Sequence, residues 1–135
     1  MRYLLDTCTV SDFVKGEPGV LRSVKLQDPA LLAVSAITRM EIEFGLALNA
    51  IRAKKLGPLL QEFFSVVGTI GFELSDAEAA ASLRASLQKK GRPIGAYDVL
   101  IAGTALSRGM TVVTSNLKEF NRVAGLSVEN WRISN

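Results

Sequence analysis

The sequence contains no histidine and a single cysteine, Cys8. The lack of histidine excludes His-based general acid–base pairs, Ser-His-Asp and Cys-His triads, and His-ligated zinc. A single cysteine excludes an internal disulfide and a zinc site built from thiolates, and it favours a reducing, cytoplasmic environment. Any enzymatic chemistry must therefore use carboxylates, lysines, hydroxyl groups or a hard cation.

Long apolar runs are absent as well. No run approaches the roughly 18 residues that span a bilayer, and the N-terminus lacks the pattern of a signal peptide, so we expect no membrane segment. The 48% of hydrophobic residues over 135 positions predicts one compact domain covering residues 1–135. The net charge of +3 fits an anionic partner, and it fits an ordinary solvated surface equally well.

Strand and helix signals alternate along the chain. Short apolar runs predict strands, whereas apolar residues at helical spacing and the capping pattern Ser75-x-x-Glu78 predict helices. Alternation with short connections favours an α/β domain with a mostly parallel sheet. The predicted strands are RYLL, LLAVS, TIGFEL, MTVVTS and LSVENW, and the predicted helices are TVSDFVKG, ITRMEIEFGLALN, KKLGPLLQEFFSVV, SDAEAAASLRASLQKKG, AYDVLIAGTALSRG and NLKEFNRV.

Three acidic residues stand where such a fold would bring them together. Asp6 follows the first predicted strand, Glu41 lies early in the helix after the second strand, and Asp98 begins an otherwise apolar helix. In open parallel sheets, ligands bind beyond the carboxyl ends of the strands. Clustered carboxylates are typical of sites for a hard divalent cation.

Each of these residues also has a purely structural interpretation. Asp6 could cap the following helix, Glu41 could complete a capping box with Thr38, and Asp98 could interact with the helix dipole. Cys8 fits a small core residue better than a nucleophile. Taken singly, the acids leave structural and functional roles open.

Five segments in order resemble the PIN-domain ribonucleases of the VapC toxin type: LLDTC, TRMEIEFG, GRPIGAYDVLIAGTAL, VVTSNLKEFNRVAGL and ENW. The resemblance extends from Met1 to Trp131. It implies a three-layer α/β/α sandwich with a central, mostly parallel sheet, an acidic pocket for Mg²⁺ or Mn²⁺, and endoribonuclease activity by metal-activated water. It also implies a homodimeric toxin of a type II toxin–antitoxin system, inhibited by a small VapB-type antitoxin.

The resemblance assigns the first three acids of the family to Asp6, Glu41 and Asp98. At the fourth position many relatives carry Asp in a T-x-D motif, where this chain has Asn116. A subgroup with N-x-x-E-F supplies an acid one helical turn later, which falls on Glu119. The four acids are the predicted catalytic residues; Asp6 and Asp98 are the predicted metal ligands, with Glu119 and Asn116 as further candidates.

Two threonines and one departure from the family pattern complete the predicted pocket. Thr7 and Thr114 are expected to hydrogen-bond a carboxylate or a metal-bound water. Cys8 stands where most relatives carry the Asn of DTN, which removes an amide from the pocket. Together with Asn116, it keeps open an alternative: a PIN-like module that has lost catalysis and only binds RNA or protein. A haloacid-dehalogenase-type phosphatase fits less well, because DTC lacks the second Asp of its motif.

The resemblance and the charge pattern also predict the binding partners. Basic residues precede the Asp98 helix and are expected to bind the RNA backbone, although a solubilising helix end explains the lysines equally well: Arg84, Lys89, Lys90 and Arg92. Relatives with the RPIG wording include enzymes that cut initiator tRNA in the anticodon stem-loop, so this RNA is the leading predicted target. The apolar runs VLRSVKL and LLQEFF are predicted dimer or antitoxin surfaces unless they belong to the core.

Overall fold

Five strands and seven α-helices alternate along residues 1–133, the part of the chain that the computed structural model describes. None of these helices has the length and apolar character to span a bilayer. The strands are β1 (Tyr3–Leu5), β2 (Leu32–Ser35), β3 (Gly68–Ile70), β4 (Thr111–Val113) and β5 (Val128–Glu129). The helices are α1 (Thr7–Lys15), α2 (Pro18–Leu26), α3 (Ala36–Leu48), α4 (Ala50–Val66), α5 (Leu74–Lys89), α6 (Ala96–Arg108) and α7 (Leu117–Phe120).

The strands form one parallel sheet in the order β3-β2-β1-β4-β5. The chain thus starts in the centre of the sheet, builds outward to β3, and returns to the other side of β1 with β4. Leu4 pairs with Ala33 on one side and with Val112 on the other. The order of the strands reverses between β1 and β4, and this switch point is where parallel α/β sheets bind ligands.

Helices cover both faces of the sheet, as the alternating direction of strand side chains requires. Leu4, Ala33 and Val112 face a core that includes α5, α6 and α7. Tyr3, Leu5, Leu32, Val34 and Val113 face a second core that includes α1, α3 and α4. The predicted three-layer α/β/α sandwich around a parallel sheet is therefore confirmed.

The α5–α6 pair is packed unusually closely. A Cβ atom at Gly103 would lie 2.7 Å from Cβ of Ala80, so glycine permits the contact between the two helices. At the far ends of the pair, the fully buried Asp76 accepts hydrogen bonds from Arg108, and its Oδ2 lies 3.0 Å from Nη2 of that residue. These contacts fix the packing of α5 against α6. Asp98 lies in the first turn of α6, at the end opposite to Arg108.

The capping pattern predicted for α5 is wrong. The helix begins one residue before Ser75, and its capping box pairs Glu73 with Asp76 instead of Ser75 with Glu78. Oδ2 of Asp76 accepts the backbone N–H of Glu73 at 2.8 Å. Burial of Asp76 against Arg108 decides this register, because a buried carboxylate needs its partners. The predicted strand TIGFEL accordingly ends at Ile70.

Two helices differ from the sequence prediction on the opposite face of the sheet. Helix α2 is absent from the sequence prediction, and Pro18 occupies its first turn, where its missing N–H costs nothing. Glu17 caps this helix by accepting the N–H groups of Gly19 and Val20. The next predicted helix begins at Ala50 rather than Lys54, which places Pro58 in the interior of α4.

Candidate active site

Asp6 lies at the switch point of the sheet and is buried, with only 3% of its surface exposed. Its backbone N–H donates to the carbonyl of Val113 at 3.1 Å, so the first residue after β1 is tied to the end of β4. Its Oδ1 accepts the N–H of Thr9 at 2.9 Å and caps α1. The same carboxylate therefore caps α1 and lies at the functional edge of the sheet.

Burial raises the pKa of Asp6 above its usual 3.8, although hydrogen bonds with Thr114 and Thr9 oppose the shift. Thr114 follows β4, is fully buried, and accepts the N–H of Asn116 at its hydroxyl at 2.9 Å. This threonine therefore joins the acid after β1 to the loop that carries Asn116 and Glu119.

Glu41 points toward α1 instead of capping its own helix. The N-cap of α3 is Ser35, whose Oγ accepts the N–H of Thr38 at 3.1 Å, so the expected Thr38–Glu41 capping box is absent. Oε1 of Glu41 accepts the hydroxyl of Thr7 at 2.7 Å. Because Thr7 directly follows Asp6, this bond brings the second acid to the same edge.

Asp98 and Glu119 meet beside Gly95. Asp98 is half-buried in the first turn of α6 and makes no capping hydrogen bond. The backbone N–H of Gly95 donates to Oε1 of Glu119 at 2.8 Å, and Nδ2 of Asn116 donates to Oε2. A Cβ atom at Gly95 would lie 3.3 Å from Oδ2 of Asp98 and 3.9 Å from Oε1 of Glu119. The small residue thus allows two carboxylates to approach the backbone.

The four acids share one electrostatic environment. Burial, and then the charges of Glu119, Asp6 and Glu41, together raise the pKa of Asp98 to about 7. The Gly95 N–H lowers the pKa of Glu119. Of this pair, Asp98 is therefore the carboxyl group that is protonated more readily.

Cys8 is exposed, which overturns the expectation of a core residue. Partial burial of the thiol, and then the charges of Asp6, Asp98, Asp12 and Glu41, raise its pKa to about 11. A thiol with this pKa stays protonated at neutral pH and is a poor nucleophile. Cys8 is therefore a neutral side chain surrounded by acids.

The chemistry of the donor set fits a hard divalent cation. The four acids offer only oxygen atoms, and no lysine or arginine among residues 1–133 forms a salt bridge with any of them. Within the same residues, no three acidic or sulfur side chains already lie in the geometry of a complete metal site. Mg²⁺ does not require such a site, because it takes one or two carboxylates and keeps several waters.

The predicted RNA-binding residues lie on the surface of α5 and of the loop that precedes α6. Arg84 and Lys89 lie on α5, Lys90 is its C-cap, and Arg92 lies in the loop of residues 91–95 that leads to α6. All four are exposed. The loop ends at Gly95, whose contact with Glu119 the sequence interpretation missed; the glycine of RPIG, directly before a helix, was the available signal.

Comparisons with known proteins agree with this architecture. The family model of the PIN domain matches residues 3–126. The tRNA(fMet)-specific endonuclease VapC of Salmonella typhimurium is 34% identical over 97% of this chain and 98% of its own. The crystal structure of VapBC2 from Rickettsia felis bound to a promoter DNA fragment contains a chain with a TM-score of 0.89 and 30% identity, covering 97% of this chain and 99% of that one.

A second solved structure, DNA-bound VapBC from Salmonella typhimurium, also has a TM-score of 0.89, with 33% identity over 97% of this chain and 98% of that one. The chain therefore agrees with these relatives in sequence and in fold over nearly its whole length, and it carries four acids at the functional edge of the sheet. The chain belongs to the VapC group of PIN-domain ribonucleases.

Proposed function

We propose that the acidic groove, which is the edge of the sheet that carries Asp6, Glu41, Asp98 and Glu119, binds Mg²⁺ or Mn²⁺ and cleaves RNA. We further propose that this activity makes the protein the toxin of a toxin–antitoxin pair in the cytoplasm. The observation that carries the proposal is the electrostatic state of Asp98. Burial, and then the charges of acids from three other segments of the chain, raise its pKa to about 7, and no basic residue among residues 1–133 pairs with it. Such crowding costs free energy, and a bound cation would offset it.

Asp6 and Asp98 are the proposed ligands of the ion, with Glu119 as the third acid. A bound divalent cation supplies Lewis-acid activation of water and neutralises charge on the phosphodiester. Asp98 would hold the ion as a carboxylate. Thr7 holds Oε1 of Glu41 and leaves Oε2 to accept a proton from the attacking water.

Asn116 acts as an orienting residue in this proposal, because its amide already donates to Glu119. Glu119 therefore takes the fourth acidic position. The basic strip of Arg84, Lys89, Lys90 and Arg92 is the proposed surface for the RNA backbone, which proteins recognise through phosphates and shape. The proposed substrate is initiator tRNA, cut in the anticodon stem-loop, because the Salmonella relative is named for tRNA(fMet).

The purified protein is expected to cut initiator tRNA in the presence of Mg²⁺ or Mn²⁺ and to stop when EDTA is added. An elongator tRNA is the matched substrate control, and sequencing of the new 5′ ends locates the cut. Cutting that survives EDTA would contradict the metal mechanism. No cutting of any RNA by a protein that binds metal would favour the alternative, a catalytically impaired binding module.

The apolar groove between α1, α2 and α4 is the proposed binding surface for the VapB-type antitoxin. It has a volume of about 560 Å³, and the predicted runs VLRSVKL and LLQEFF contribute Leu21, Val24, Leu59 and Phe63 to its lining. Leu59 keeps 48% of its surface exposed. Exposed apolar surface of this kind marks interaction sites.

Leu59→Glu is expected to abolish co-purification with the antitoxin encoded beside the gene, because it introduces a charge into the apolar groove. Leu26→Glu is the matched control, since Leu26 is exposed on α2 but does not line the groove. Both variants should keep RNA cleavage. Light scattering of the free protein tests the proposed homodimer, and co-purification that persists in Leu59→Glu would place the antitoxin elsewhere.

A further inference from the structure

Arg122 connects two segments that both reach the acidic groove. Its Nη1 donates to the carbonyl of Pro93 at 2.8 Å, across a separation of 29 residues. Its Nε is buried and has no hydrogen-bond partner among residues 1–133. A buried donor left unpaired costs about 1–3 kcal/mol. The guanidinium therefore holds the Pro93 carbonyl although one of its own donors stays unpaired among these residues.

The segment held by Arg122 is the loop of residues 91–95. The loop has no regular secondary structure. Apart from Arg122 it is anchored by backbone N–H groups: Gly91 donates to the carbonyl of Gln88 at 3.0 Å, Arg92 donates to the carbonyl of Leu87 at 2.9 Å, and Gly95 donates to Glu119. Pro93 lies two residues before Gly95, so its position sets the direction of the Gly95 amide. That amide is the donor that holds Oε1 of Glu119 at 2.8 Å.

The contacts form a closed circuit between the third and fourth acids. Arg122 follows Glu119 by less than one helical turn, and its own N–H donates to the carbonyl of Glu119 at 3.0 Å. From Arg122 the circuit runs through Pro93 to Gly95, and from Gly95 back to the carboxylate of Glu119. Asp98 lies in the first turn of α6, directly after Gly95, and its carboxylate and that of Glu119 both approach Gly95.

We infer that Arg122 is a positioning residue: by holding the Pro93 carbonyl, it fixes the Gly95 amide and thereby places Glu119 against Asp98 so that both can serve one divalent cation. This inference rests on the proposed function of the groove. Substitution of a residue that holds a metal ligand in place commonly lowers metal affinity by about 10–100-fold. Arg122 touches neither the ion nor the substrate in this arrangement and acts only through the loop.

Arg122→Met tests the inference because methionine keeps an unbranched apolar stem and removes the donors. Titration calorimetry with Mn²⁺ in the absence of RNA should show a Kd raised about tenfold. At saturating metal the KM for RNA should change less than about twofold, because Arg122 makes no contact with the RNA in this arrangement. Arg122→Lys keeps the charge and one donor, and its Kd should fall between those of the wild type and Arg122→Met.

The direction of the change separates positioning from simple electrostatics. Arg122 is a positive charge near Glu119, so a residue acting through charge alone would weaken cation binding, and Arg122→Met would bind Mn²⁺ more tightly. Tighter or unchanged binding overturns the inference. Arg108→Met is the matched control: it breaks the buried pair with Asp76, so it should lower the melting temperature and leave the Mn²⁺ Kd unchanged.

A second pair of variants tests the same circuit at Gly95. Its φ of −57° suits both alanine and proline. Gly95→Ala and Gly95→Pro both add a Cβ atom, and only the second removes the N–H that holds Glu119. A Kd for Mn²⁺ at least about tenfold higher in Gly95→Pro than in Gly95→Ala supports the circuit, and equal values overturn it. A wild type that binds no Mn²⁺ overturns the proposed function itself.

Discussion

Asp98→Asn is expected to reduce RNA cleavage by about 10²–10³-fold and yet to melt higher than the wild type at pH 8 in EDTA. The loss of activity follows from removing a ligand of an ion that supplies several kcal/mol to the transition state. The gain in stability follows from removing a carboxylate that burial and three acidic neighbours disfavour as an anion.

The pH dependence has a definite sign. The pKa of Asp98 is about 7 in the folded protein and 3.8 as its ordinary value. The stability linked to this group is therefore fully present below pH 3.8 and is lost as the pH rises through about 7. Discounted for partial exposure, the penalty at pH 8 is about 2 kcal/mol, which corresponds to a melting temperature roughly 5 °C lower.

Thermal melts of both proteins at pH 5 and pH 8, with EDTA and with Mg²⁺, measure this effect. The two proteins should differ most at pH 8 in EDTA and less at pH 5. Mg²⁺ should raise the melting temperature of the wild type by mass action and that of Asp98→Asn much less. A helix-dipole role predicts the reverse: Asp98→Asn would melt slightly lower in EDTA and keep the full Mg²⁺ shift. That result would remove Asp98 from the proposed site.

The paired variants Asp6→Asn and Asp6→Ala are expected to lose activity to the same degree, about 10²–10³-fold, and to differ in stability. Asn and Asp are equally good N-caps, so Asp6→Asn should keep the bond from Thr9 that begins α1. Because burial already disfavours the Asp6 anion, the neutral amide should not lower the melting temperature. Asp6→Ala loses the cap, which costs about 1 kcal/mol.

Cleavage assays and melts of the two variants separate the carboxylate's chemistry from its capping. Asp28→Ala is the matched control, because Asp28 caps an exposed turn by accepting the N–H of Ala30 at 3.0 Å, away from the groove. It should lose stability and keep activity. Full activity in Asp6→Asn would show that Asp6 has only its capping function.

The sequence by itself determined the class of fold and the position of the acids along the chain. Hydrophobic runs and helical spacing are local signals, so the alternation of strands and helices and the parallel sheet followed from them. The absence of histidine restricted the chemistry to carboxylates and a cation. Asp6 and Asp98 could be singled out because each stands at the boundary of an apolar element, where packing does not require an acid.

Only the tertiary structure decided what each side chain touches. The capping box of α5 and the direction of Glu41 depend on partners distant in sequence, Arg108 for the first and Thr7 for the second. The strand order, which places Asp6 between β1 and β4, is a property of the assembled sheet. Long-range contacts have no periodicity along the chain. The glycine of RPIG was a local signal at one position, but its bond to Glu119 and the bond from Arg122 to Pro93 came only from the tertiary structure.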